Sequence, residues 1–324
     1  MRKTILIPLV IFLSSCGEPV SSSEPVSSEP AEIESFQKES VLLSNGETMA
    51  YLKAGNGPKT ILAIHGNYSS SLSYYRLLAN AHSSFTIYAM DLRGYGDSSY
   101  NVQISSMKDF VHDVVSFADA LEIHQFGLIG WSLGGAVAME LACHYPTRVN
   151  HLALLSSAAT WGYPLYDADG NPYEDKEAMA GNAMEAGGLA ALEAGNRSYI
   201  DQMMTRSMRW SSLPQKEKNA YLDETMKERC LKEATWALSA FNITDEDKGY
   251  GAENLLMNLD SIQTAVFDGS LDTVLSSAMI ASRNELPFVA KKKTYAAGHS
   301  ILTEQTNALL GDLNDFFLSE YLHP

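Results

Sequence analysis

Cysteine is scarce in this chain: three in 324 residues, at positions 16, 143 and 230. Cys143 and Cys230 stand in no paired metal-ligand spacing, which argues against a structural zinc site, and neither a metal nor a cofactor is expected. Positive charge is also short. Lys and Arg number 23 against 39 Asp and Glu, a net charge of −16. A chain of that sign does not hold nucleic acid or anionic lipid through bulk electrostatics. Long apolar runs are missing too. The run at the start of the chain, Ile5 to Leu13, is interrupted by Pro8, and nine helical residues rise only about 14 Å, under half of a bilayer core.

That short run nevertheless has a clear use. Met1-Arg2-Lys3 is a positive start, the apolar run follows, and Leu13-Ser14-Ser15-Cys16 closes it, so residues 1–15 read as a secretory signal. Leu-Ser-Ser-Cys resembles the bacterial lipoprotein cleavage box. The resemblance implies that Cys16 becomes the lipidated first residue, attaching the protein to a membrane through that anchor; an ordinary signal peptide is the alternative. Gly17 rather than Asp follows, which by similarity to enterobacterial lipoproteins points to the outer membrane of a bacterial envelope, facing periplasm or exterior. Loss of Arg2 and Lys3 takes the charge from −16 to −18. Residues 16–35, with a near-repeat of Glu-Pro-Val-Ser-Ser, cannot bury a core and read as a disordered tether. An oxidising compartment permits a Cys143–Cys230 disulfide; two buried thiols are the other reading.

The remainder is ordinary globular sequence, 45% hydrophobic and 19% charged. Val41 to Leu43 and Thr48 to Lys53 flank Ser44-Asn45-Gly46, a hairpin turn. Apolar strand patterns then alternate with helical ones: Lys59 to Ile64, Leu72 to Ala81, Phe85 to Met90, Met107 to Leu121, Gln125 to Trp131, a helix to about His144, and His151 to Leu155. The alternation stops over 158–258, where helical stretches (Glu174 to Ala194, Tyr199 to Trp210, Lys216 to Leu238) have no clear strands between them. It resumes with Ile262 to Phe267, Thr273 to Ser282, Phe288 to Tyr295 and Leu302 to Leu318. This predicts an α/β core of 36–157 and 259–324, a mostly parallel sheet flanked by helices, interrupted by a helical cap of 158–258. Met203, Met204, Met208 and Trp210 either roof a pocket or pack the cap's own interior; the pattern leaves both open.

The chemistry gathers around Gly130-Trp131-Ser132-Leu133-Gly134. Gly-x-Ser-x-Gly by itself is a weak signal, but here an apolar strand leads into it and a helix follows at once. A turn that sharp leaves no room for side chains at Gly130 and Gly134 and stands Ser132 clear at the sheet edge, at a helix N-terminus that favours negative charge. A serine at its free pKa is a poor nucleophile and needs a base, which needs an orienting acid. Of eight histidines, His299 follows the last strand at that same edge, whereas His144, His151 and His323 read as surface residues. The acid belongs after Ile262 to Phe267, where Asp272 opens a helix and Asp268 competes. The stretch Ser156 to Ala159, after another strand, offers no carboxylate. The developing oxyanion needs two donors, and the N–H groups of Leu133 and Asn67 are the candidates.

His65-Gly66-Asn67, Asp91-Leu92-Arg93-Gly94-Tyr95-Gly96-Asp97-Ser98, Gly130-Trp131-Ser132-Leu133-Gly134-Gly135, Gly269-Ser270-Leu271-Asp272 and Gly298-His299 together resemble the α/β-hydrolase fold. The resemblance covers about residues 40–320. It implies eight strands, a cap after the sixth, and a Ser132–His299–Asp272 triad; the Asp91–Ser99 loop is structural by the same analogy. Serine rather than aspartate at the apex sets the chain apart from haloalkane dehalogenases and epoxide hydrolases. Acyl transfer to water is then expected, on a small-molecule ester, lactone or thioester. His65 to Ser71 is similar to a loop of acyl-homoserine lactonase-like proteins, and Gly-Trp-Ser-Leu-Gly-Gly to carboxylesterases that demethylate acyl-carrier-protein esters. A proline-iminopeptidase-like amidase, a cofactor-free haloperoxidase side activity and a lipid-tethered binding protein of the same fold are the alternatives.

Overall fold

The computed structural model describes residues 32–182 and 186–320. The leader, Cys16, most of the tether and His323 lie outside the described residues. Among those residues no helix is long and apolar enough to cross a membrane.

Eight strands form one sheet in the order β1-β2-β4-β3-β5-β6-β7-β8. They are β1 Glu39–Leu42, β2 Thr48–Gly55, β3 Lys59–Ile64, β4 Phe85–Met90, β5 Phe126–Trp131, β6 Val149–Leu155, β7 Gln263–Gly269 and β8 Val289–Tyr295. β1 and β2 pair antiparallel, as the hairpin turn predicts, and β2 runs antiparallel to β4; every later pairing is parallel. Parallel pairing places the C-terminal ends of β3, β5, β6, β7 and β8 along one edge, where loops collect side chains for chemistry. The central strands read as unbroken apolar runs because helices cover both faces. All of β5 is buried, as the sequence anticipates.

The helices are α1 Tyr75–Ala79, α2 Met107–Ala120, α3 Leu133–His144, α4 Lys176–Ala180, α5 Ala186–Glu193, α6 Arg197–Ser207, α7 Gln215–Thr225, α8 Leu231–Ala240, α9 Ser277–Ser282, α10 Ile301–Glu304 and α11 Thr306–Leu318. α2 is amphipathic, burying Phe110, Val111, Val114 and Phe117. Its start is fixed by the Asp109 carboxylate, which accepts from the N–H of Ser106 at 3.1 Å. α3 has no polar stripe because Leu133 to Cys143 are all buried.

Several expected elements are shorter than periodicity suggests. The stretch Lys216 to Leu238 is two helices, α7 and α8, because Arg229 N–H donates to Gly94 O at 2.8 Å instead of continuing a helix. The helix placed from Thr273 begins at Ser277, with the Ser276 hydroxyl accepting from Met279 N–H. The last helix is broken at Gln305. Leu72 to Ala81 holds a 3-10 turn and the short α1. Cys143 and Cys230 are free, buried thiols, so the disulfide reading is set aside. His151 is buried, with its ring 5.1 Å from that of Phe316, and is no surface residue. Its place early in β6 gave it a helix or chain end in the linear reading, but α11 covers it. His144 is exposed, as expected.

The cap sits on the loops at the functional sheet edge. Thr225 Oγ1 donates to Tyr68 O at 2.7 Å, Tyr68 N–H donates to Glu228 Oε2 at 2.8 Å, and Arg76 pairs with Glu217 at 2.7 Å. Lys38 joins Asp91 at 2.7 Å to Glu224 of α7, linking the start of the folded chain to both layers. Met204, Met208 and Trp210 are buried in one apolar cluster with Tyr74, Tyr75 and Tyr221, and the Trp210 and Tyr221 rings stack at 5.4 Å. They pack the seam between cap and core.

Candidate active site

Ser132 joins β5 to α3 with φ 54° and ψ −121°, a conformation that few residues other than glycine adopt. Its neighbours permit the turn. An added Cβ at Gly130 would sit 2.5 Å from Gly134 O, and one at Gly134 would sit 2.1 Å from Ile64 O. The backbone of Ser132 is pinned: its N–H donates to Leu155 O at 3.1 Å, and its carbonyl accepts from Gly135 and Ala158. The side chain is only partly buried. Strain of this kind persists where surrounding contacts over-determine it, and it presents the hydroxyl at the sheet edge.

His299 lies after β8 and is fully buried. Its Nδ1 meets Asp272 Oδ2 at 2.8 Å, so the two residues that the sequence nominates as base and acid are brought together. The other imidazole nitrogen, Nε2, is buried without a hydrogen-bond partner. Asp272 sits three residues beyond β7 in a turn, not at a helix start. Its Oδ1 accepts from the N–H groups of Val274 at 2.8 Å and Leu275 at 3.2 Å. Burial pushes this carboxyl up, but the His299 bond and charge and the two amides outweigh it and hold the pKa below the ordinary value. The carboxylate therefore stays ionised and keeps Nδ1 as the protonated nitrogen.

Asp268, the competing acid, is engaged elsewhere. It pairs with Arg283 of the 3-10 turn after α9, whose guanidinium also donates to Ser157 O. Both partners are buried, which raises the Asp268 pKa and lowers that of Arg283. A guanidinium beside the vacant acid position after β6 was not anticipated from sequence. The signal available was a lone Arg at the end of an otherwise uncharged helical stretch.

The loop after β3 approaches Ser132 closely: an added Cβ at Gly66 would lie 2.7 Å from Ser132 Cβ. His65 holds that loop in place. Its Nε2 accepts from Leu92 N–H at 3.0 Å and its Nδ1 lies 2.7 Å from Gly66 O. An acceptor at Nε2 leaves the proton on Nδ1, so the ring is neutral; full burial pushes its pKa down to about 4. The Asn67 side chain accepts from Tyr95 Oη. The backbone amides of Asn67, on that loop, and Leu133, directly after Ser132, have no acceptor among the described residues.

Two further side chains, Trp131 and Glu304, bond to the segment around His299. Trp131 Nε1 donates to His299 O at 3.0 Å. Glu304 accepts from Gly298 N–H at 2.8 Å and from Arg209 Nε of the cap at 3.0 Å. Sequence reading missed Glu304 and Arg209; an acid five residues past the base, closing an apolar helical turn, was the only hint.

Among the described residues, two groupings of acidic and histidine side chains are of the size that could hold a cation, neither involving the Ser132 loop. In Asp91, Asp97 and Glu224 the place is taken by the Lys38 ammonium. In the other, His144 Nε2 lies 3.2 Å from Glu140 Oε1 and 3.9 Å from Glu253 Oε2, and Lys108 pairs with Glu253 at 2.8 Å.

The sequence profile of the alpha/beta hydrolase fold family matches residues 59–304. A bifunctional epoxide hydrolase 2 from Sus scrofa is 33% identical over 120 residues, 36% of this chain and 21% of that protein. A serine hydrolase-like protein from Mus musculus is 28% identical over 190 residues, 58% of each chain. The chain therefore spans about a fifth of the first relative's length and under two thirds of the second's. Among solved structures, a thermophilic esterase from Thermogutta terrifontis superposes with a TM-score of 0.68 at 18% identity, covering 88% of this chain and 100% of that one. A hydrolase from Pseudomonas aeruginosa gives 0.67 at 21% identity, covering 87% and 98%. At such identities the likeness is one of fold. The strand order, the strained serine turn and the match along most of the sequence agree: the chain belongs to the α/β-hydrolase fold family.

Proposed function

We propose that this protein is a serine hydrolase that cleaves a carboxylic ester, lactone or thioester through an acyl-enzyme on Ser132. The observation that carries this reading is His299. Asp272 engages its Nδ1 while the buried Nε2 has no partner, at the same sheet edge as a serine hydroxyl held out on a strained turn. In this reading Ser132 Oγ attacks the acyl carbon as Nε2 takes its proton. The oxyanion meets the N–H groups of Leu133 and Asn67, each such donor contributing about 3 kcal/mol to the transition state. Collapse expels the alcohol or thiol, which receives the proton from Nε2. Water then attacks the acyl-enzyme by the same steps in reverse, regenerating Ser132. Ser132 Oγ and His299 Nε2 do not share a hydrogen bond in this structure, and catalytic bonds of this type commonly tighten only with substrate in place.

The relatives' names include an epoxide hydrolase, but Ser132 stands where an aspartate would be needed for that resemblance. The leader and Cys16 support a lipid-anchored form in a bacterial envelope; radiolabelled palmitate incorporation lost in Cys16→Ala tests it. The activity is tested with a p-nitrophenyl ester series from acetate to laurate on the full chain, beside Ser132→Ala. Hydrolysis abolished by the substitution is the expected result. If wild type is inert and a serine-directed phosphonate does not label Ser132, the hydrolase reading is wrong and a binding protein of this fold replaces it. Labelling without ester turnover assigns an amide or a narrower substrate.

A further inference from the structure

We propose that Arg209 and Glu304 are positioning residues for His299, through which the seated cap sets the geometry of the base. This rests on the triad reading above. Among the contacts that hold the His299 loop, two bear on this proposal. One is inside the core, where Trp131 Nε1 bonds His299 O. The other is Glu304, on the helical turn that follows the base: its Oε1 accepts from Gly298 N–H at 2.8 Å. Its second oxygen, Oε2, accepts from Arg209 Nε at 3.0 Å. Arg209 belongs to the cap, between α6 and the 3-10 turn Trp210–Ser212. One carboxylate thus bridges the peptide next to the base and a cap side chain.

Two features distinguish this pair from an ordinary surface ion pair. Arg209 lies across the loop itself: an added Cβ at Gly298 would come within 2.4 Å of Arg209 Cδ. Its backbone is also left-handed, with φ 55°, a conformation unfavourable for a residue with a Cβ. Such strain is kept where a side chain must be aimed, and here it ends helix α6 and turns the guanidinium onto the base loop. The Arg209 side chain is about half exposed, so its bond contributes little to global stability. Its effect is local: if the cap lifts, Glu304 loses its cationic partner and Gly298 its fixed acceptor. A displacement of the base by about 1 Å costs on the order of 10²-fold in rate.

The test uses full-length protein and a serine-directed phosphonate, recording both the labelled fraction and the rate constant per labelled site, with KM and kcat on the preferred p-nitrophenyl ester. We expect Glu304→Ala to lower the rate per site by about 30- to 100-fold and Arg209→Ala by about tenfold, with KM changed less than about twofold. Arg209→Lys keeps the charge and recovers most of the loss. Because both side chains act through one contact, the double substitution is no slower than Glu304→Ala alone. Three results would overturn the proposal: rates within about twofold of wild type, single effects that multiply in the double variant, or a loss confined to the labelled fraction with an unchanged rate per site. Should Glu304→Ala fail to fold, Arg209→Ala and Arg209→Lys, at an exposed position, decide the question alone. Wild-type protein that resists the phosphonate defeats the triad reading and this proposal with it, whereas a labelled wild type with undisturbed variants defeats the proposal only.

Discussion

Trp131, the residue immediately before Ser132, donates its indole N–H to the carbonyl of His299, 168 positions along the chain, at 3.0 Å. The Ser132 turn and the His299 loop are therefore joined by this bond, with the two rings 5.8 Å apart. Trp131→Phe keeps most of the apolar packing and removes only the donor. The expected outcome is a kcat lowered by about 10-fold or more, KM little changed, and a modest loss of thermal stability from the unpaired carbonyl. Steady-state kinetics beside a thermal melt separate these. A kcat equal to wild type would show that Asp272 and Glu304 hold the base without help.

Asp268, near the end of β7, and Asp272, three residues beyond it, have divergent environments, and substitution should part them. Asp272→Asn leaves the hydrogen bond possible but favours the wrong imidazole tautomer, with kcat expected to fall by up to about 10⁴-fold while the protein stays folded. Removing the partner of Asp268 acts on stability: Arg283→Met strands a buried carboxylate, which typically costs about 3–5 kcal/mol. Urea unfolding and ester hydrolysis on the same two variants give opposite rankings if the assignment is right. Equal loss of kcat in both would return Asp268 to contention as the acid.

Much of the candidate site was legible because its features are local. Glycines two before and two after Ser132 announce a turn that excludes side chains, and the apolar strand before it locates that turn at a sheet edge. His299 and Asp272 follow from strand ends, which unbroken apolar runs mark well. Contacts between distant segments were not legible. Nothing in Lys216 to Leu238 signals that Arg229 N–H will turn aside to Gly94 O, with Cys230 Sγ packed where a Cβ at Gly94 would come within 2.6 Å; periodicity therefore ran two helices together. His151 reads as a surface residue in the sequence because the rings that pack on it, Phe316 and Phe317 of α11, lie over a hundred residues later. Glu304, Arg209 and Arg283 escaped for the same reason, since each acts through a partner remote in sequence.

At Gly66 the loop after β3 comes close to Ser132. A methyl there would meet Ser132 Cβ at 2.7 Å and Oγ at 3.3 Å, and neither the pinned serine backbone nor the His65-anchored loop has room to yield. Gly66→Ala should displace the Asn67 amide and lower the acylation rate by about 10²-fold. Phosphonate labelling kinetics read this directly. Labelling at the wild-type rate would mean that the loop relaxes, and that the Asn67 amide is not a required donor.

Burial also shapes the dependence of stability on pH. Desolvation, aided by the charge of Lys59, pushes the His151 pKa down to about 4 from its ordinary 6.5. The folded chain thus leaves this imidazole neutral over a range where the unfolded chain protonates it. The sign follows from proton counts: between about pH 6.5 and 4 the unfolded state binds more protons, so stability falls as pH falls through that window and is flat in this group above it. A shift of that size corresponds to about 3 kcal/mol across the full window. His151→Leu removes the group while keeping an apolar side chain against Phe316. Its stability relative to wild type should therefore rise by up to about 3 kcal/mol between pH 7 and pH 4, read from urea unfolding at each pH. Carboxylate titrations are common to both proteins and cancel in the difference. A difference that does not vary with pH would mean that His151 protonates as readily in the folded chain as in the unfolded one, and that α11 opens to admit the charge.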